Sequence, residues 1–202
     1  MIYRKYVKRA IDFLVALILM PFVLASCMII GPMIFLEDHG TVFYRAKRRG
    51  KNGAVFIMYK FRSMKMNAPD IRYSDNSAYN SENDPRVTRI GKLLRKTSLD
   101  EVPQLFNVLK GDMSIVGPRP VSPIKPLSEF DEKRWIRLSV RPGITGYSQA
   151  YFRNSIDQET KFQYDAEYAQ KVSFLLDVKI ILKTVVSVLK RENIYSEKDN
   201  KK

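Results

Sequence analysis

The chain has 202 residues, enough for one domain or a domain and a half around a buried core. A single cysteine, Cys27, and a single histidine, His39, exclude a disulfide scaffold and a zinc cluster of the usual ligands, so any metal must be held by carboxylates. Thirty-five Lys and Arg against 21 Asp and Glu leave a formal charge of +14, which calls for an anionic partner: nucleic acid, phospholipid or a phosphorylated substrate.

Phe13 to Leu36 runs 24 residues without a charge. As a helix it would extend about 36 Å at 1.5 Å per residue, against about 30 Å of bilayer hydrocarbon, and a membrane segment is expected. The alternatives are a cleaved signal peptide and a buried core helix. Arg45, Lys47, Arg48, Arg49 and Lys51 follow as in a cytosolic chain, which argues against a signal peptide. Pro21 removes a helical hydrogen bond and clashes with the turn before it, so a kink or break is expected there. Divided at Pro21, the run leaves apolar pieces of 8 and 15 residues, too short for either to cross alone. Arg4, Lys5, Lys8 and Arg9 precede it, so both flanks are basic. A re-entrant helix that enters and leaves by the cytoplasmic face satisfies both, and a kinked span is the alternative.

Thr41 to Tyr44 and Ala54 to Tyr59 are rich in β-branched and aromatic residues around a basic loop ending in Asn52-Gly53, the pattern of a β-hairpin. Lys65 to Pro85 is polar and reads as a mobile loop. Arg86 to Gly111 reads as helix in two pieces, broken around Thr97 to Pro103, and turns dominate the Pro- and Gly-rich stretch to Gly146. Phe162 to Arg191 reads as helix with a broad apolar face that includes Phe174, Leu175, Ile180, Ile181 and Leu182. Lys179, Lys183, Lys190 and Arg191 oppose that face. This is either a core helix or an amphipathic interfacial helix lying among lipid headgroups. The expected organisation is a membrane-associated segment at 1–38, a cytosolic domain at 39–193 and a flexible tail at 194–202.

Chemical interest concentrates in Thr97-Ser98-Leu99-Asp100-Glu101-Val102-Pro103. Ser98 and Glu101 have capping-box spacing, which is a structural explanation for the acids, but Pro103 fits a first turn only if the cap falls at Asp100 or nearby. The functional explanation gives each acid a task. Asp100 would attack phosphorus, and Glu101 would hold a Mg²⁺ that bridges pyrophosphate oxygens. Fixed cations are needed beside such a reaction. Lys92, Arg95 and Lys96 precede the pair, and Arg119 stands between prolines in Gly117-Pro118-Arg119-Pro120.

Lys60-Phe61-Arg62-Ser63-Met64, Thr97 to Ser114, Val116 to Pro120 and Arg141-Pro142-Gly143-Ile144-Thr145-Gly146 closely resemble the bacterial sugar transferases known as monotopic phosphoglycosyl transferases. The resemblance extends from Lys8-Arg9 and Asp12 to Asp177, and the length matches the small members. It implies an enzyme that moves a sugar phosphate from a UDP-sugar to a polyprenol phosphate such as undecaprenyl phosphate. The reaction releases UMP and begins glycan assembly at the cytoplasmic face of the bacterial inner membrane. By motif, Asp100 matches the nucleophile that forms a covalent phosphosugar intermediate, and Glu101 matches its Mg²⁺-associated partner. Lys60, Arg95 and Arg119 match basic positions of the site, and Asp165, after Tyr164, matches a further functional acid. The implied fold is α+β and mostly helical, with an N-terminal re-entrant membrane helix, a β-hairpin and amphipathic interfacial helices seated on membrane phospholipid.

Two features depart from the family pattern. Ser26 is followed by Cys27 where many members have a Ser-Pro pair, which leaves the bend position open. Tyr147 to Asn154 lacks the usual Trp and Asn-Gly-Arg. A basic membrane-tethered scaffold and a nucleic-acid-binding module are the rival readings. The first leaves the paired acids unexplained. The second leaves the apolar run idle and lacks any recognisable nucleic-acid signature, so no nucleic acid is expected.

Overall fold

The computed structural model describes residues 2–73 and 79–190, in which one long helix lies along a small α+β body. A π-helical turn, Tyr3–Val7, leads into α1, Lys8–Asp38, whose 31 residues continue through Pro21 and Pro32. Neither proline ends the helix, so the break expected at Pro21 is absent. Packing holds the turns on both sides of it. Ala16 and Val23 join a core with Ala46, Met58, Leu105, Val108 and Met113, while Ile30 and Ile34 join a second core with Phe61 and Leu94. The opposite face stays open and apolar, with Ile18 at 74% and Met28 at 73% exposure. The helix thus has one face buried as in a core helix and a second face that is apolar and open.

Strands β1, Phe43–Arg49, and β2, Val55–Phe61, pair antiparallel with Tyr44 opposite Lys60, Ala46 opposite Met58 and Arg48 opposite Phe56. The turn uses left-handed backbone at Asn52 (φ 55°) and Gly53 (φ 80°), which the Asn-Gly pair supplies at little steric cost. The strands reach further than the sequence suggests, since the basic residues Arg45 to Arg49 belong to β1. Burial of Ala46 against Met58 fixes the register, Arg45 and Lys47 stay towards solvent, and Arg49 turns in to the carbonyls of Gly53, Pro123 and Lys125.

The polar stretch after β2 is organised around a buried ion pair. Arg86 donates to both carboxylate oxygens of Asp84, at 2.9 and 2.7 Å, and to the carbonyls of Pro69 and Tyr79. Next come α2, Arg89–Thr97, a 3₁₀ turn at Leu99–Glu101, and α3, Gln104–Lys110, divided where the sequence places the break. Thr88 caps α2 by accepting from Gly91 N, and left-handed Ser98 closes it. The pair is not an N-cap. Pro103 occupies that position for α3, with no side-chain cap bond, and Ser98 and Asp100 make none.

The Pro- and Gly-rich stretch holds more than turns. Strand β3, Ser114–Val116, pairs parallel with β4, Gly143–Thr145, and α4, Glu132–Leu138, lies between them in sequence. Such short strands carry no pattern of their own, and glycines at 117 and 143 allow the close approach: a Cβ on Gly143 would sit 2.1 Å from Gly117 N. Helix α5, Tyr147–Tyr151, follows. The single helix expected over Phe162 to Arg191 is two, α6 at Gln158–Lys171 and α7 at Phe174–Leu189. Val172 turns extended and Ser173 caps α7 by accepting from Leu176 N, which a hydrophobic run conceals. On α7, Ile180 is fully buried while Leu189 is 77% exposed. The tail at 194–202 lies outside the described residues.

Helix α2 is seated by a missing side chain. A Cβ on Gly91 would fall 2.0 Å from the backbone oxygen of Ser63, so Gly91→Ala must push α2 away from the segment after β2. Thermal unfolding should show a loss of about 1–3 kcal/mol, and an unchanged midpoint would mean that this contact is not close.

Candidate active site

Four elements bring their residues to one place. Strand β2 carries Lys60, α2 ends just after Arg95, the 3₁₀ turn presents Asp100 and Glu101, and the segment after β3 carries Arg119. Alternation along the hairpin turns Lys60 to the same face as Met58 and Tyr44. Asn107 fixes the distance between strand and turn. Its side chain accepts from Tyr59 N at 3.0 Å and donates to Ile57 O at 2.7 Å, so α3 is bonded to the edge of β2 beside Lys60.

Lys60 Nζ lies 2.6 Å from Glu101 Oε1 and 3.8 Å from Asp100 Oδ2. Arg119 donates to the same Glu101 oxygen through both terminal nitrogens, at 3.2 and 3.3 Å. All three side chains of the inner cluster, Lys60, Asp100 and Glu101, are largely buried. Burial works against ionising Glu101, but the charges of Lys60 and Arg119 outweigh it and bring its pKa to about 2. Asp100 moves the other way. Burial raises its pKa, Lys60 opposes the rise, the Glu101 carboxylate adds to it, and Arg119 and Arg95 pull back. Two neighbouring carboxyls thus differ sharply in proton affinity, the mark of a division of labour. The Glu101 carboxylate in turn raises the pKa of Arg119.

Arg95 contributes its charge while its Nε donates to Ser63 Oγ at 3.0 Å. Asp165 is placed differently from the other candidates. It is 2% exposed, and its oxygens accept from Arg137 Nη2 at 2.9 Å and Ser148 Oγ at 2.8 Å. Arg137 also donates to the backbone oxygen of Arg119 at 2.6 Å. Asp165 therefore reaches the site through Arg137, behind Arg119.

Sequence reasoning passed over Arg137, Ser148 and Asn107, none of which stands in a local pattern. It also placed Arg48 in a loop. Arg48 shares the Lys60 face of the hairpin, and its pKa is lowered by burial and by the charge of Arg119 nearby. Its place opposite Phe56, four residues before Lys60, is a signal that the correct strand register would have revealed.

Among the described residues no group of three or more His, Cys, Asp or Glu side chains surrounds a metal position. The arrangement still suits Mg²⁺, which takes few protein oxygens and completes its shell with phosphate and water. The cation contacts of Glu101 converge on Oε1, which leaves Oε2 for such an ion.

The model of the family described as "Bacterial sugar transferase" matches residues 3–191. The chain is 41% identical over 187 residues to the uncharacterized sugar transferase EpsL of Bacillus subtilis, covering 93% of this chain and 89% of that one. It is 36% identical over 207 residues to the undecaprenyl-phosphate galactose phosphotransferase of Salmonella typhimurium, covering 95% of this chain and 42% of that one. It is also 38% identical over 190 residues to the UDP-N-acetylgalactosamine-undecaprenyl-phosphate N-acetylgalactosaminephosphotransferase of Aeromonas hydrophila, covering 91% and 44%. The chain spans less than half the length of these last two relatives. Since the family match runs through α1, the hairpin and every element that supplies the site, the chain belongs to the bacterial sugar transferase family.

Proposed function

We propose that the protein transfers a sugar phosphate from a UDP-sugar to polyprenol phosphate, with undecaprenyl phosphate as the carrier, and releases UMP at the cytoplasmic face of the bacterial inner membrane. The observation that carries this reading is the uncapped Asp100–Glu101 pair held against Lys60 and Arg119. Acids serving only to start a helix would bond its N–H groups, and these do not. The names of the relatives supply the substrate classes.

In this reading an ionised Asp100 oxygen attacks the β-phosphorus of the donor. The bond from that phosphorus to the bridging oxygen breaks, UMP departs with the electron pair, and the sugar phosphate remains on Asp100 as an acyl phosphate. A phosphate oxygen of the polyprenol carrier then attacks the same phosphorus. The aspartyl oxygen leaves as carboxylate, and the product is a polyprenyl diphosphate sugar. Lys60 lowers the cost of an anionic nucleophile next to Glu101, and Arg119 and Arg95 face the charge that builds on the transferred phosphate. Glu101 would hold Mg²⁺, which when bound shares the charge of the diphosphate. Asp165, through Arg137, holds the backbone of Arg119 in place.

The membrane position rests on α1. Both ends of this helix are bonded to one body, Arg9 to the carbonyls of Val108 and Leu109 and Glu37 to the N–H groups of Arg89 and Ile90. The two basic flanks then share one side of the bilayer, and the open face with Leu14, Ile18 and Met28 enters lipid and leaves by the same surface. Both flanks on one side is what the re-entrant reading requires, and here it is met by a helix that runs on through Pro21. The exposed side of α7 lies against the same interface.

Asp100→Asn should fold and bind membranes as the wild type does but release no UMP from UDP-galactose, UDP-glucose or UDP-N-acetylgalactosamine with undecaprenyl phosphate. Wild-type rates in that variant would move the nucleophile elsewhere. Chelation by EDTA should stop UMP release until Mg²⁺ is restored, and Glu101→Gln should lose most activity; a chelator-resistant wild type would contradict the metal's role. For topology, Ile2→Cys in a Cys27→Ser background should resist a membrane-impermeant thiol reagent in intact cells and react once the inner membrane is opened. Reaction in intact cells would show that the chain crosses.

A further inference from the structure

Four polar side chains of α1 each grip an element that carries part of the site, and each grips it away from the site residue. Near the start of the helix, Arg9 donates to Val108 O at 2.6 Å and Leu109 O at 3.0 Å, at the end of α3 opposite Glu101. Asp12 accepts from Ser114 Oγ at 2.6 Å and Ile115 N at 3.0 Å, in the strand that runs on to Arg119. At the other end, Glu37 accepts from Arg89 N at 2.6 Å and Ile90 N at 3.1 Å, the first amides of the helix that ends beside Asp100. Asp38 pairs through both oxygens with Arg62, two residues beyond Lys60. From Asp12 to Glu37 is about 38 Å of helix at 1.5 Å per residue.

A helix apolar along both faces needs no such contacts in order to be buried. The cores at Ala16, Val23, Ile30 and Ile34 already hold it. The polar contacts add direction, because charged groups bonded to backbone amides and carbonyls fix where an element ends. Lys60, Arg95 with the acid pair, and Arg119 stand on separate parts of the chain, and α1 is bonded to the elements that carry each of them. We infer that Arg9, Asp12, Glu37 and Asp38 are positioning residues, through which α1 acts as a strut that sets the spacing of the catalytic carboxylates and cations. This rests on the reading of Asp100 and Glu101 as the site. It goes beyond anchoring, since it makes the membrane-facing helix a determinant of turnover.

Glu37 gives the cleanest test because it is exposed and α2 has a second cap of its own. Thr88 Oγ1 accepts from Gly91 N at 2.9 Å, so Thr88→Ala weakens the same helix end without touching α1. The full chain, reconstituted in nanodiscs with undecaprenyl phosphate, is assayed for UMP release with the best donor among UDP-galactose, UDP-glucose and UDP-N-acetylgalactosamine. Glu37→Ala should lower kcat about tenfold relative to Thr88→Ala, with KM for the donor unchanged, because misplacement of reacting groups slows chemistry more than binding. Glu37→Gln, which keeps an acceptor oxygen, should recover part of the loss. The inference is overturned if Glu37→Ala loses no more kcat than Thr88→Ala, or if the loss falls on KM. Asp100→Asn in the same assay separates the two ideas: activity there would refute the site itself, whereas an inactive Asp100→Asn beside an active Glu37→Ala would refute only the strut.

Discussion

Two carboxylates on consecutive residues, both largely buried, repel each other, and Lys60 sits between them to make the arrangement tolerable. Unit charges about 4 Å apart interact by about 4 kcal/mol at the effective dielectric of a protein surface, so neither acid is neutral to the other's presence. One ammonium cannot serve both equally. It stands closer to Glu101, which also receives Arg119, and the outcome is a firmly ionised Glu101 beside an Asp100 of raised proton affinity. An anionic nucleophile that is imperfectly compensated is reactive towards phosphorus once a phosphate draws in the same cations. The chemistry of the proposed reaction is contained in that asymmetry.

The rest of the fold delivers the cations. Asn107 bonds the strand of Lys60 to the helix behind Glu101, and Arg137, backed by Asp165, bonds the loop of Arg119. Helix α1 underlies all of it, apolar towards the body and apolar towards its surroundings. At its start the Tyr3 and Phe174 rings meet edge to face, 6.0 Å apart, while Asp177 accepts from Tyr3, Lys8 and Tyr168. This seam brings the open apolar faces of α1 and α7 side by side.

Much of this was legible because the signals are local. An uncharged run of membrane length, an Asn-Gly turn, a Ser and a Pro bracketing two acids, and an Arg between prolines each speak within a few residues. What was missed depends on partners far away in sequence. The break between α6 and α7 is set by Ser173 within a run whose hydrophobicity reads as continuous. The β3–β4 ladder is too short to show alternation. Arg137, Asn107 and Glu37 bond to backbone groups of other elements, and a backbone partner leaves no trace in the identity of the residue that carries it. At Pro21 the helix does not break, because cores on both sides of it hold the neighbouring turns. Asp165 was recognised by resemblance, but only the structure shows that its carboxylate bonds Arg137 and Ser148.

The central claim is that Asp100 carries the sugar phosphate between donor and acceptor. Intact-mass measurement of the protein, incubated with its UDP-sugar and Mg²⁺ but without any polyprenol phosphate, tests it most directly. The account predicts a mass gain of one sugar phosphate, removable by hydroxylamine as an acyl phosphate must be, and mapped to the peptide containing Asp100. An unmodified protein that nevertheless forms product in a single step when acceptor is added, or an adduct mapped to another residue, would contradict it.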